Sequence, residues 1–280
     1  LIRHGSPKEI IEIARQVDCS AIISAIVARL NRNLHFIELK HELCKQEINF
    51  YLDLLKYRKK RLSSNIYKWQ IDGKSIAANF NQFLQLRDEY FNGGLQEHYA
   101  FDWKGKRVLD VGGFVGDSAI YFLDSGAPQV FVYEPVLENM QALKYNLLPY
   151  STKAKAYQKA ISDQKGLITI TSNEPGGSLG FGLNPGKYSV QCEAVTFTSL
   201  LQKHEVDVAK IDCEGFEKYL CDVENRLIQS VPYWIIETHN PIIYQDILNK
   251  FYQCGFKQVR DLTIMTGINL LHFQKCQDQS

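Results

Sequence analysis

The sequence predicts an α/β fold built on a mainly parallel sheet, with a helical element ahead of it. Three observations carry this reading. After Lys106, short apolar strands alternate with helix-length stretches; the first strand runs directly into a glycine-rich turn; and the chain closes on two strand-like runs around Thr266-Gly267. Strands separated by helices pair in parallel because each return connection crosses a face of the sheet, so helices cover both faces.

The bulk properties fit this class. The chain has 280 residues, enough for one full α/β domain and a smaller appendage. Hydrophobic residues make up 45% and charged residues 22%, which excludes extended disorder. Lys and Arg number 32 against 31 acids, so no global field draws the chain to nucleic acid or an anionic membrane. The seven cysteines are scattered, with no C-x-x-C pair, and read as free thiols of a reducing, cytoplasmic location. No apolar run approaches the roughly 20 residues of a membrane span. The chain opens on Leu1 and not on a methionine, which reads as a trimmed or incomplete N-terminus.

The elements follow in order. Ser6-Pro7-Lys8-Glu9 supplies a cap, a proline at the first helical position and an early acid. Ile10, Ile13, Ala14 and Val17 then recur at helical spacing. A second helical run from Leu34 to Leu55 ends in Lys56-Tyr57-Arg58-Lys59-Lys60-Arg61, where cations suit the helix C-terminus. Residues 1–66 are thus expected to form a helical element, residues 67–102 a connector and residues 103–280 the α/β domain. In the connector Asp72-Gly73 predicts a small hairpin, and a short helix is expected from Asn79 to Tyr90.

Val108 to Val111 is a buried strand and Asp117 to Leu123 its helix; Val130 to Tyr133 is the next strand, followed by a helix from Leu137 to Leu147. Ala154 to Ile161 and Leu167 to Thr171 are strand-like, and Val208 to Ile211 and Tyr233 to Ile236 are apolar strands each followed by a helix candidate. Phe256 to Ile264 and Ile268 to Phe273 form a terminal antiparallel hairpin. Gly176-Gly177-Ser178-Leu179-Gly180-Phe181-Gly182 is a flexible segment of the type used as a lid or an acceptor loop.

The residues that bear chemistry sit at strand ends. Val108-Leu109-Asp110-Val111-Gly112-Gly113-Phe114-Val115-Gly116-Asp117-Ser118 is a strand ending in an acid, then a glycine-rich turn, then a helix. Such a turn lets a ligand approach the backbone closely. It is not the G-x-G-x-x-G fingerprint of pyrophosphate binding, and the acid suits a ligand with a cationic end. The next strand ends in Glu134-Pro135, where an acid can accept hydrogen bonds from both ribose hydroxyls of an adenosyl group.

These segments resemble the FkbM-type methyltransferases. The resemblance rests on Asp110 to Asp117, on Tyr133-Glu134-Pro135 with Glu138-Asn139 and Asn146, on Ala160 to Gly166, and on Lys210-Ile211-Asp212-Cys213-Glu214-Gly215-Phe216-Glu217, with Ile236-Glu237-Thr238-His239 behind them. It implies a Rossmann-like methyltransferase fold, S-adenosylmethionine as cofactor and, for many members, O-methylation of a hydroxyl on a sugar, glycolipid or small natural product. S-adenosylmethionine carries an ammonium and a sulfonium and no phosphate, which agrees with the acid before the glycines.

Carried over by motif, Asp110, Gly112 and Gly116 hold the methionine end, with Gly113, Asp117 and Ser118 in the same turn. Glu134 and Pro135 take the ribose, Ser162 and Asp163 lie beside the adenine, and Asp212 and Glu214 line the acceptor side. Asp212, Glu214 and His239 are the candidate bases for a hydroxyl proton. The three could together bind a divalent ion, but without fixed ligand spacing no metal site is assigned. The chain departs from the family at Thr196-Phe197-Thr198-Ser199, where Leu-Asp is usual, at Gly113 in place of alanine, and at Phe114-Val115 in place of Asn-Ile.

The expected partner is a small-molecule or carbohydrate acceptor, with self-association through the N-terminal helices. Two alternatives stand beside this reading. One is a cofactor-binding scaffold that transfers no methyl group; the other is an RNA methyltransferase that docks through the helical element and Lys59-Lys60-Arg61.

Overall fold

The structure, a computed structural model, describes residue 54, residues 56–173, residue 182 and residues 186–276. The helices expected before residue 54 and most of the 176–182 segment lie outside the described residues. The chain divides into two compact units, Leu1–Ser75 and Ile76–Ser280.

In the first unit, strand β1 (Arg58–Arg61) pairs antiparallel with β2 (Tyr67–Ile71), Lys59 opposite Trp69. This corrects the reading of Arg58 to Arg61 as a helix end. All four side chains are exposed, so the segment has no buried face whose period could declare it, and strand pairing with residues further along decides its conformation. The Asp72-Gly73 hairpin is present: both residues take positive φ, 49° and 81°, as a type I′ turn requires, and β3 (Lys74–Ala78) follows as the third strand of this sheet.

In the second unit, α1 (Phe80–Phe91) starts at a full capping box, with the Gln82 amide donating to Asn79 and the Asn79 amide donating to the Gln82 side chain. After α2 (Gly94–His98) the alternation expected from the sequence appears as β4 (Arg107–Val111), α3 (Asp117–Asp124), β5 (Gln129–Tyr133), α4 (Leu137–Leu147) and β6 (Ala154–Tyr157). Then come β7 (Ala160–Ile161), β8 (Gly166–Ser172), β9 (Tyr188–Val195), α5 (Phe197–Lys203) and β10 (Val208–Ile211). A 3₁₀ turn (Phe216–Asp222), α6 (Asn225–Ile228), β11 (Tyr233–Thr238), α7 (Pro241–Gln253), β12 (Phe256–Met265) and β13 (Ile268–Lys275) complete the unit.

The main sheet has the order β12-β13-β11-β10-β4-β5-β6. Neighbours from β11 to β6 are parallel, while β13 runs antiparallel to both β11 and β12. This is the Rossmann-like methyltransferase arrangement. From β4 the chain progresses outward through β5 to β6, then returns to the other side of β4 as β10. The switch point therefore lies between β4 and β10, where open α/β sheets bind ligands beyond the carboxyl ends of the strands.

Three features differ from the expected order. The run from Ala154 to Ile161 is divided: β6 joins the main sheet, and β7 joins a separate sheet ordered β7-β9-β8. Strand β9 was not expected, because its buried positions include Cys192 and Ala194, small side chains that give weak alternation. The helix expected after β10 is instead the 3₁₀ turn. The core packs Leu109, Phe131, Ile211, Trp234 and Phe273 of the main sheet with Phe251 of α7. No described helix is long and apolar enough to cross a membrane. Cys192, Cys213, Cys221, Cys254 and Cys276 are free thiols.

Candidate active site

The site is assembled by strand register. Asp110 and Lys210 are direct partners across β4 and β10, so an acid and a base meet in the middle of an apolar sheet. Lys210 is buried, with its ammonium 3.3 Å from Asp110 Oδ1, 3.3 Å from Asp212 Oδ2 and donating to the Gly112 carbonyl at 2.7 Å. Burial works to strip its proton, but the Asp110 and Asp212 carboxylates outweigh that and hold it well above the usual lysine range. Asp110 has no exposed surface; burial raises its pKa, opposed by Lys210 and by Ser118, whose hydroxyl donates to Oδ2 at 2.7 Å.

The glycine turn closes onto this pair. Gly112 has φ of 80°, and a Cβ there would run into the carbonyl oxygen of Asp212. Only glycine lets the turns after β4 and β10 touch. A Cβ on Gly113 would strike Val132, so the alanine usual in the family does not fit this backbone.

Four of the turn's amides bond inside the protein. Gly112 and Gly113 N–H donate to the Tyr133 carbonyl at 2.9 and 3.1 Å, Gly116 N–H donates to Gly113 at 2.7 Å, and Phe114 N–H donates to Glu134 Oε2 at 3.0 Å. These four amides are satisfied inside the protein, and the turn lacks the dinucleotide fingerprint.

Glu134 is buried at the end of β5. Its Oε1 accepts from Val136 N–H at 2.8 Å and from Asn139 Nδ2 at 3.1 Å, while Oε2 accepts from Phe114. Burial pushes it up to about 7 against the pull of these three donors. A carboxylate offers about four acceptor positions, so one remains, on Oε2. Burial together with Glu89 likewise pushes Asp117 up to about 7.

A cleft opens above these strand ends, walled among others by Gly112, Phe114, Glu134, Ile161, Asp212 and Glu214. Pro135 and Val136 extend the wall after Glu134, and Lys159 and Ala160 extend it before Ile161. Ser162 and Asp163 follow directly, joined by a 2.9 Å hydrogen bond, but do not line the cleft; Ser162 is buried and Asp163 exposed.

Next to the cleft, β10 and β11 bring Asp212, Glu214 and His239 together. His239 Nε2 lies 3.4 Å from Glu214 Oε2, 3.6 Å from Glu237 Oε1 and 3.7 Å from Asp212 Oδ1. On its other side, Nδ1 lies 2.9 Å from Glu217 Oε1. Burial opposes a charge on the ring, but Glu217, Asp212 and Glu214 raise its pKa to about 10. Burial, reinforced by Asp212, sets Glu237 well above the carboxylate range.

Sequence reasoning assigned no role to Lys210, Glu217 or Asn139, although all three stand in the quoted motifs. For Lys210 a signal existed: a lysine inside Val208-Ala209-Lys210-Ile211 must be buried against a counter-charge.

The methyltransferase FkbM domain matches residues 110–257, more than half of the chain. The chain belongs to the FkbM methyltransferase family. Among curated proteins none matches this FkbM-family chain. Among solved structures it is similar to the FkbM methyltransferase of Methylobacillus flagellatus KT, at 17% identity and a TM-score of 0.48, covering 66% of the present chain and 46% of that one. It is also similar to a ribosomal protein L11 methylase of Lactobacillus delbrueckii, at 16% identity, TM-score 0.40 and coverage of 65% and 75%. A third is the fibrillarin pre-rRNA processing protein of Methanococcus jannaschii, at 12% identity, TM-score 0.43 and coverage of 78% and 97%. At these identities the likeness is one of fold.

Proposed function

We propose that this FkbM-family protein is an S-adenosylmethionine-dependent methyltransferase that O-methylates a hydroxyl of a sugar, glycolipid or small natural product. The observation that carries the reading is the cleft at the β4–β10 switch point, walled by the carboxyl groups of Glu134, Asp212 and Glu214. That lining suits a cationic nucleoside better than a phosphate. In this assignment Gly112, Gly113 and Gly116 let the methionine end approach the backbone. Asp110, Asp117 and Ser118, all buried, set the shape of the turn. Glu134 has one acceptor position left, on Oε2, and takes one ribose hydroxyl. Pro135, Val136 and Ile161 line the nucleoside side, with Ser162 and Asp163 at its edge.

The bound cofactor supplies an electrophilic methyl on a sulfonium. The acceptor oxygen must approach in line and lose its proton, while water is kept out. In this state His239 holds its own proton at neutral pH, so Asp212 or Glu214, which face the cleft, receives the hydroxyl proton. A second reading, an RNA acceptor, draws on the exposed cationic strand Arg58–Arg61; strongly salt-dependent RNA binding would support it.

Calorimetric titration of S-adenosylmethionine into the wild type and Glu134→Gln tests the cofactor site. The amide sets an NH₂ against backbone donors, so micromolar binding in the wild type is expected to weaken at least about tenfold, one lost charge-assisted hydrogen bond. A folded wild type that binds no cofactor overturns the reading.

A further inference from the structure

Four donor atoms converge where β10 and β11 end: Asp212 Oδ1, Glu214 Oε2, Glu237 Oε1 and His239 Nε2. The three distances from Nε2 are 3.4, 3.6 and 3.7 Å, all longer than the ~2.9 Å of an N–H···O hydrogen bond. Asp212, Glu214 and His239 each offer one atom within 4.8 Å of the others. Ligands held ~2.1 Å from a small divalent ion stand ~3.0 Å apart when adjacent and ~4.2 Å apart when opposed. The three distances from Nε2 fall between these two values.

Two of these donors are aimed from behind by buried groups outside the set. Asp212 turns Oδ2 to the Lys210 ammonium at 3.3 Å, which leaves Oδ1 directed at His239. His239 Nδ1 is held by Glu217, a carboxylate with no exposed surface that also accepts from the main-chain N–H of His239 at 3.1 Å and of Gly215 at 2.8 Å. This fixes the ring with Nε2 toward the carboxylates. Outer partners of this kind are what orient the ligands of metal sites. Four carboxyl groups, of Asp212, Glu214, Glu217 and Glu237, outnumber the two cationic side chains among them.

We propose that Asp212, Glu214 and His239 form a divalent-cation site, with Glu237 within reach as a fourth ligand and Glu217 and Lys210 as its outer supports. Carboxylates with one imidazole suit a hard ion such as Mg²⁺ or Mn²⁺, which takes the place of the Nε2 proton. Asp212 and Glu214 also line the cleft, so the ion's open positions face the space assigned to the acceptor. That last role rests on the methyltransferase reading; the ion site itself does not.

The test is titration of the purified chain with Mn²⁺ alone, free ion being followed by electron paramagnetic resonance. One saturable site tighter than about 0.1 mM is expected. It should weaken at least tenfold in Asp212→Asn and in His239→Gln, and by about 10- to 100-fold in Glu217→Gln. Glu205→Gln, at an exposed acid elsewhere, should bind as the wild type does. Circular dichroism identifies any variant that fails to fold, and the remaining ones then carry the comparison. Absence of saturable binding tighter than about 0.1 mM, or binding that survives substitution of the ligands, overturns the site. S-adenosylmethionine is titrated separately without metal. Cofactor binding with no Mn²⁺ binding sinks the ion site and leaves the methyltransferase reading standing; Mn²⁺ binding with no cofactor binding does the reverse.

Discussion

Lys210 is the residue on which the geometry of the site turns. It joins two carboxylates and a carbonyl that come from one strand and two turns. Removing one member of a buried ion network leaves charge without compensation, which costs more than the network itself contributes. Lys210→Met should therefore lower stability by about 3–5 kcal/mol, read from urea unfolding midpoints. Adding Asp110→Asn should restore part of the loss, because the fully buried carboxylate is then neutral. A loss under about 1 kcal/mol in the single variant would show that water reaches Asp110 and that the pair does not organise the turn. From the sequence, Asp110 and Glu134 were legible as strand-end acids. Their hydrogen bonds were not: that Asp110 faces inward, and that Glu134 has three of its four acceptor positions filled, depends on Ser118, Asn139 and Val136 arriving from helices and turns.

At the scale of elements, local chemistry was the reliable guide. Asp72-Gly73 and Asn79 declared the hairpin and the start of α1 because each satisfies a requirement within three residues of itself, positive φ in one case and orphan amides in the other. The cap can be weighed directly. Asn79→Ala removes the acceptor for the Gln82 amide and should cost about 1 kcal/mol, seen as a fall in Tm of a few degrees. A variant as stable as the wild type would mean that packing of Phe83 and Leu86, both buried, holds the helix start without it. The elements that were misread depend on distant partners. Arg58–Arg61 is a strand because Tyr67–Gln70 pairs with it, and β9 is a strand because β7 and β8 enclose it.

Across the whole molecule, buried titratable groups oppose one another. His272 has no exposed surface; its Nε2–H donates to the His98 carbonyl at 3.0 Å, so Nδ1 accepts from the Tyr233 hydroxyl at 3.0 Å. Burial, with Arg260 adding to it, pushes this imidazole down to about 4, and burial with Lys203 and Lys155 does the same for His204. The unfolded chain therefore binds these protons first. Their contribution is present above pH ~6.5 and is lost as pH falls toward 4. Glu134 and Asp117, raised to about 7, act in the opposite sense: the native state keeps protons that the unfolded chain releases, so their contribution is present below pH ~4 and is lost as pH rises through 7. The histidine part is isolated by difference. His272→Phe should be less stable than the wild type at pH 7, and that deficit should shrink by about 2 kcal/mol at pH 4.5. A deficit that does not change with pH would mean that His272 is not held neutral.

The α/β class, the strands β4, β5, β10 and β11 and the glycine turn were legible in the sequence, because they follow from periods and from residues that act on their immediate neighbours; the FkbM resemblance rested on the motifs at the strand ends. The tertiary structure decided which acids are buried, that Lys210 ties β4 to β10, and that Asp212, Glu214 and His239 meet at one point with Glu217 behind them. Those facts join residues far apart in the chain, and the energy that fixes them is burial and charge pairing across strands, which no local pattern encodes.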